Sequence, residues 1–205
     1  MLQDFQVSSA ESLERTAFDV NARIPPGATK DDFRSMLQHL LRDRFQMVVH
    51  RETREFSGYV LVKTGAAGLR FQPWEPGSLA PPAQDGWPEL PGGRSGLVQQ
   101  NRLSEGYGVG RLRGWRQPMS ALVKMMNMAT QSPVVDRTGL SGFFNFSLEY
   151  TMERSGIPPD VGAELPGPPS VFDAIQRQLG LKLSAAKVPF PVVVVDSFSK
   201  TPSEN

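Results

Sequence analysis

The densest polar string in the chain is His50-Arg51-Glu52-Thr53-Arg54-Glu55. A guanidinium presents a rigid fork of donors that matches a carboxylate, so Arg51 and Arg54, with His50 beside them, are candidate binding residues. The competing reading is a solvated hairpin end whose alternating charges pair across strands. Zinc chemistry does not fit here. HRETRE lacks the H-E-x-x-H spacing that puts two imidazoles on one helical face, and His39 lies across its helix from the apolar stripe with no second ligand nearby. No metal site and no cofactor are expected.

Asp136-Arg137-Thr138-Gly139 is the second candidate. Short oxygen-bearing side chains satisfy turn amides, and glycine admits positive φ, so the plain reading is a structured turn. The sharper reading is an anion site made by Arg137 and the turn N–H groups, with Asp136 and Thr138 shaping it. Third is the run Gly106–Arg116, in which Arg111, Arg113 and Trp115 alternate. On a strand they share one face, which can stack on and pair with an anionic ligand or RNA. A solvated strand is the alternative. The run has neither dinucleotide nor Walker spacing, so it makes no phosphate cradle.

Other strings fail on context. Ser184-Ala185-Ala186-Lys187 matches S-x-x-K and Lys63-Thr64-Gly65 matches K-T-G, but the order is reversed, no S-D-N exists, and Ser184 falls at an expected hairpin turn. Gly139-Leu140-Ser141-Gly142 does not complete a nucleophile elbow. Met119, Met125, Met126 and Met128 read as core packing, with an adaptable binding surface as the alternative. No catalytic residue is assigned. A hydrolase-like enzyme using carboxylates such as Asp136 or Glu149 remains an alternative to a non-enzymatic module.

Totals narrow the classes further. The chain of 205 residues has 22 basic and 21 acidic side chains, a balance that argues against a dedicated nucleic-acid binder. It has no cysteine, which excludes disulfides, thiolate metal sites and cysteine nucleophiles. There is no apolar run long enough to span a membrane, and the first residues contain no apolar signal region.

Several elements must position these candidates. Phe33, Met36, Leu37, Leu40 and Leu41 form one stripe on a helix that Thr29 can cap, with Asp31 and Asp32 in the first turn. Burying each stripe residue is worth roughly 1.5–3 kcal/mol, so the helix is expected to face a core and Leu37→Asp to unfold the chain. Two strands joined by a turn follow, up to Lys63, and Ala17–Arg23 alternates as a short strand before the helix. Residues 64–117 are rich in proline and glycine and read as a surface excursion pinned by Trp74 and Trp87. A helix then places Met119, Leu122, Val123 and Met126 on one face. Val134 and Val135 lead into a turn and the strand FFNFSLEY, whose Phe144, Phe146, Leu148 and Tyr150 alternate with Asn145, Ser147 and Glu149. After a linker at 155–169, Ser170 and Asp173 have capping-box spacing. The helix over VFDAIQRQL ends at Gly180, and two last strands are expected at Leu181–Leu183 and Phe190–Val195.

Laying Phe45 on Leu179 gives an offset of 179 − 45 = 134 that also matches Met47 with Leu181, Val49 with Leu183, Phe56 with Phe190 and Leu61 with Val195. The expected fold is therefore α+β, antiparallel sheet with amphipathic helices on one face, built from helix–strand–strand units. The expected divisions are 17–63 for the first unit, 64–117 for the excursion and 118–198 for two further units.

The strings FRSMLQHLLRDRFQMVVHRETREFSGYVLV, SPVVDRTGLSGFFNFSLEYT and SVFDAIQRQLGLKLSAAKVPFPVVVVDSFSKTPSEN together resemble a bacterial family of unknown function common in soil organisms. The resemblance runs from Phe18 to Asn205, with the proline- and glycine-rich segment matching poorly, and rests on the HRET and VVDRTGLSG strings. It implies an exported or periplasmic protein, because members often carry an export signal. It also implies a chain truncated at its N-terminus, since members are typically longer there. Some members look fused to membrane-embedded sensor peptidases. It supplies no catalytic residue. The combined expectation is an envelope-associated interaction or ligand-sensing module whose partner is a protein or small molecule.

Overall fold

A computed structural model describes residues 6–9, 17–65, 68–84, 86–90, 95–104, 107–152 and 168–203, with the backbone alone at Ser104 and Tyr107. The chain belongs to the α+β class, with mixed helices and largely antiparallel strands. It divides into two compact units. Unit 1 is residues 1–55 with 189–205, and unit 2 is residues 56–188. This division cuts through strands and differs from the boundaries expected at 63 and 117.

Unit 1 contains β1 (Val7–Ser9), α1 (Lys30–Phe45), the first part of β2 (Val48–Lys63) and the last part of β8 (Leu181–Ser197). Here β1 runs parallel to β8, with Val7 opposite Val193 and Ser9 opposite Val195, and β2 lies on the other side of β8. Thr29 and Asp32 close a full capping box at the start of α1, Thr29 accepting from the Asp32 N–H and Asp32 from the Thr29 N–H. Gln46 ends the helix in a left-handed conformation. The expected burial of its stripe does not hold. Phe33 is 46% exposed and Leu37 39%, and Phe45 is the one fully buried helix residue. The expected strand at 17–23 is also absent. Those residues are exposed and irregular, though Phe18 meets Phe45 edge-on at 4.9 Å.

Unit 2 holds the core. Its strands are β3 (Gln72–Pro73), β4 (Gly96–Ser104), β5 (Tyr107–Pro118), β6 (Val134–Asp136) and β7 (Phe143–Met152), besides its share of β2 and β8. Its helices are α2 (Met119–Thr130) and α3 (Val171–Ala174), which continues as a π-helical turn over Ile175–Leu179. One sheet runs β3-β7-β5-β4, all antiparallel. Its inner face carries Leu112, Phe144, Phe146, Leu148 and Tyr150, packed with Leu122 and Met126 of α2 and with Ala174, Ile175 and Leu179. Gly114 leaves room for the Phe146 ring; a Cβ there would lie 2.6 Å from it. In the other sheet β6 runs parallel to β2, with Tyr59 opposite Val134 and Leu61 opposite Asp136.

Two hairpin expectations fail. The residues expected to form hairpins at 47–63 and 181–195 form single strands, β2 and β8, without a turn. The HRETRE string reads as a turn but has neither glycine nor proline to break β2, whereas β8 runs on through Pro189 and Pro191. Ser184 of the S-x-x-K string thus lies within β8, and Lys187 Nζ donates to Ser57 Oγ at 2.8 Å. The stretch 64–117 is likewise more than an excursion, since it supplies β3, β4 and β5. The linker at 155–169 lies almost wholly outside the described residues.

The offset read from the sequence recurs in strand pairing. On β2, residues 59–61 pair with β6; on β8, residues 193–195 pair with β1, and 193 − 59 = 134. Both pairings are parallel. The helix caps obey the same shift, with left-handed Gln46 and Gly180 related by 180 − 46 = 134. Each half is thus strand, helix, long strand, with the second half carrying β7 inserted before its helix.

Candidate functional site

Unit 2 contains a cleft of about 510 Å³ on the outer face of the β3-β7-β5-β4 sheet. Period-2 alternation builds its floor. If Leu112 and Phe146 point into the core, then Arg111, Arg113 and Trp115 of β5 and Asn145, Ser147 and Glu149 of β7 must point the other way. Cross-strand register sets Arg113 against Ser147, Arg111 against Glu149, and Asn145 against Gln72 of β3. The roof is the proline-rich segment, through Pro81, Pro82, Gln84 and Trp87, and Arg70 lines the cleft beside Leu179.

The two arginines hold roof to floor, but they are not equivalent. Arg111 pairs with Glu149, donates to the Gly86 carbonyl and lies 5.6 Å from the Trp87 ring. Its charge is compensated. Arg113 is 7% exposed and donates to the carbonyls of Pro81 and Pro88. Among the described residues its ion pairing is confined to Glu89, at 4.0 Å, a side chain that is 71% exposed. A buried cation balanced by neutral carbonyls and one distant, solvated carboxylate is electrostatically short of an anion. Among the described residues the lining includes two arginines and no aspartate, glutamate or histidine.

A bulge shapes one end of the cleft. The register between β5 and β7 slips between Gly114 and Gln117, which leaves Trp115 and Arg116 unmatched. Arg116 takes a positive φ of 52°, uncommon for a residue with a side chain. Its N–H donates to Asn145 Oδ1 at 3.0 Å, and its guanidinium lies 4.4 Å from the Trp74 ring and 5.5 Å from the Phe143 ring. Trp115 lines the cleft, and among the described residues its buried indole N–H meets no acceptor, nor does that of Trp74. Such groups are costly and uncommon outside sites that use them.

The other sequence candidates lie elsewhere. His50, Arg51 and Arg54 are in unit 1 on β2. His50 Nδ1 sits 2.9 Å from both carboxylate oxygens of Asp196, and Nε2 lies 3.9 Å from Glu52. The Asp196 hydrogen bond raises the imidazole pKa above its ordinary value, Glu52 adding to the effect. Arg54 pairs with Glu52 and donates to Ser8 Oγ at 2.9 Å. The charges of His50 and Arg54 are thus paired along and across strands. Asp136 accepts from the Thr138 N–H at 2.8 Å and from its hydroxyl at 2.7 Å, and Thr138 Oγ1 accepts from the Leu140 N–H. Thr138 is 2% exposed, so this string is a fastened turn, with Arg137 exposed beside it.

Of the nine candidate residues, the structure brings Arg111, Arg113 and Trp115 together, and the cleft takes Arg113 and Trp115. Sequence reasoning missed Arg70, Gln72, Gln84 and Trp87 as site residues, and it read Asn145 and Ser147 only as a wet face. The alternation in FFNFSLEY carried the signal for the last two. Among the described residues no cluster of three potential metal ligands occurs, and no helix is long and apolar enough to cross a membrane.

A family model described as a protein of unknown function (DUF3738) matches residues 1–198. No curated protein matches the chain, and no solved structure does.

Proposed function

We propose, from the premise that the chain belongs to this family of unknown function, that it is a ligand-binding module whose unit 2 cleft takes a small organic anion. The observation that supports this most directly is Arg113, a buried guanidinium at the cleft wall whose nearest carboxylate among the described residues is 4.0 Å away and largely in water. An anion in the cleft supplies the missing charge, and the guanidinium can receive it bidentately. Arg70 adds a second cation at the same cleft.

The arrangement favours binding over hydrolysis. General acid–base chemistry needs a carboxylate or imidazole within reach of the substrate. Asp136 is spent on its turn and Glu149 on Arg111, and neither lines the cleft. An RNA strip along Arg111–Arg116 fits poorly, because the proline-rich segment lies over Arg111 and Arg113 and closes that strand face to an extended chain. The envelope location implied by the sequence resemblance belongs to the same proposal, and fractionation of cells expressing the native gene tests it.

The test uses the tryptophans already at the cleft. Intact protein is titrated with acetate, benzoate, citrate and inorganic phosphate while indole fluorescence is followed. A saturable change that Arg70→Ala weakens supports the reading. No saturable change with any of the four anions removes it.

A further inference from the structure

The geometry points to a carboxylated sugar, a saccharide of the uronic-acid type, as the ligand class of this cleft; the inference rests on the anion-binding reading above. The floor strands are interior to the sheet, β7 lying between β3 and β5, and β5 between β7 and β4. The backbone of β5 is engaged in ladders on both sides, and at the bulge the Arg116 N–H is taken by Asn145. On β7 the short β3 pairs Phe144 and Asn145; further along, Gln178 holds the Glu149 N–H and carbonyl, and the Pro169 carbonyl takes the Thr151 N–H. Pro81 and Pro82 of the roof have no N–H to give. A peptide adding itself as a strand finds no continuous run of free edge here, because Gln178 and Pro169 interrupt it. A phosphate finds neither a helix N-terminus nor a nest of amides. A ligand meets side chains.

Besides Phe71, Phe146, Leu179 and Ser147, the lining offers three kinds of side chain. Gln72 and Asn145 sit opposite each other on neighbouring strands, and Gln84 faces the cleft from the roof. A primary amide carries two donors and an acceptor on one rigid plane, which matches adjacent hydroxyls that both donate and accept. The indoles of Trp87 and Trp115 offer apolar ring surface with a polar edge, which suits the C–H face of a pyranose. Arg70 and Arg113 provide for a carboxylate, and among the described residues no acidic side chain lines the cleft to repel it. Aliphatic or aromatic carboxylates would use the arginines and leave the amides idle; neutral sugars would do the reverse. The cleft volume of about 510 Å³ falls within the range of small-ligand sites and has room for more than one ring.

Isothermal titration of the intact protein with digalacturonate, a neutral galactose disaccharide and citrate tests the assignment. Digalacturonate is expected to bind at least about tenfold more tightly than either comparison ligand. Arg70→Ala should reduce affinity for digalacturonate and leave the neutral disaccharide unchanged, whereas Gln84→Ala should weaken both sugars and leave citrate unchanged. Citrate binding as tightly as digalacturonate overturns the sugar assignment while the anion cleft stands. Neutral disaccharide binding as tightly as the acid overturns the carboxylate requirement. Absence of binding by both acids overturns this inference and the anion reading together.

Discussion

Leu37 and Val171 occupy equivalent helical positions, related by 171 − 37 = 134, yet Leu37 is 39% exposed and Val171 8%. The same contrast holds one turn on, where Leu40 and Leu41 are half-buried and their counterparts Ala174 and Ile175 are 0% exposed. In unit 2 the helix packs against β7 of the second sheet. Among the described residues of unit 1, no second sheet covers α1. Leu37→Asp is therefore expected to cost under about 1 kcal/mol, against at least about 3 kcal/mol for Val171→Asp, which buries an unpaired charge. Urea melts of the two variants decide the matter. Equal losses would mean that α1 faces a core after all.

The Arg111–Glu149 pair joins neighbouring strands with side chains 23% and 29% exposed. Glu149→Gln should cost about 1 kcal/mol, more than an exposed ion pair and less than a fully buried one. The loss should shrink as salt rises, because the wild-type attraction is partly screened. Unfolding curves at two ionic strengths measure both effects.

His50 gives unit 1 a pH-dependent contact. Its folded pKa is raised above 6.5, chiefly by the Asp196 hydrogen bond. The contribution to stability is therefore fully present below about 6.5 and is lost as pH rises through the folded pKa. Chemical-shift titration of the His50 ring should show a midpoint above that of a model peptide, and Asp196→Asn should return it toward the ordinary value. A midpoint at or below 6.5 in the parent would contradict the geometry.

Gly58 marks where β2 meets the start of β6. Tyr59 N–H donates to the Pro133 carbonyl at 2.8 Å, and a Cβ on Gly58 would overlap that same oxygen and crowd Val188 at 2.9 Å. Both obstacles are inside the fold and one is backbone, so relaxation is limited. Gly58→Ala should cost about 2–3 kcal/mol, within the range for overpacking. Thermal unfolding checks this, with Gly65→Ala as the control, since a Cβ there meets nothing within 4 Å.

Local rules were sufficient for much of the fold. The capping box at Thr29, the stop at Gly180, the alternation of Phe144, Phe146, Leu148 and Tyr150 and the buried face Met119–Leu122–Met126 all follow from spacing and side-chain chemistry. So did the 134-residue offset, because equivalent strands need equivalent apolar positions. Two things were not legible. An amphipathic stripe states that a helix has an apolar side, but whether another layer lies over that side depends on residues far away in sequence, so the α1 stripe was overvalued. Continuity of β2 and β8 depended on cross-strand partners such as Asp196 and Ser57 for the polar residues that looked like turns.

The candidate site divides in the same way. Sequence alone determined that Arg111, Arg113 and Trp115 share a strand face, because a pleated strand alternates. Only the tertiary structure decided that Glu149 neutralises Arg111 and that Arg113, two residues on, is left without an equal partner under Pro81 and Pro88. Charge is a property of a residue, but its compensation is a property of what the fold brings within a few ångströms of it.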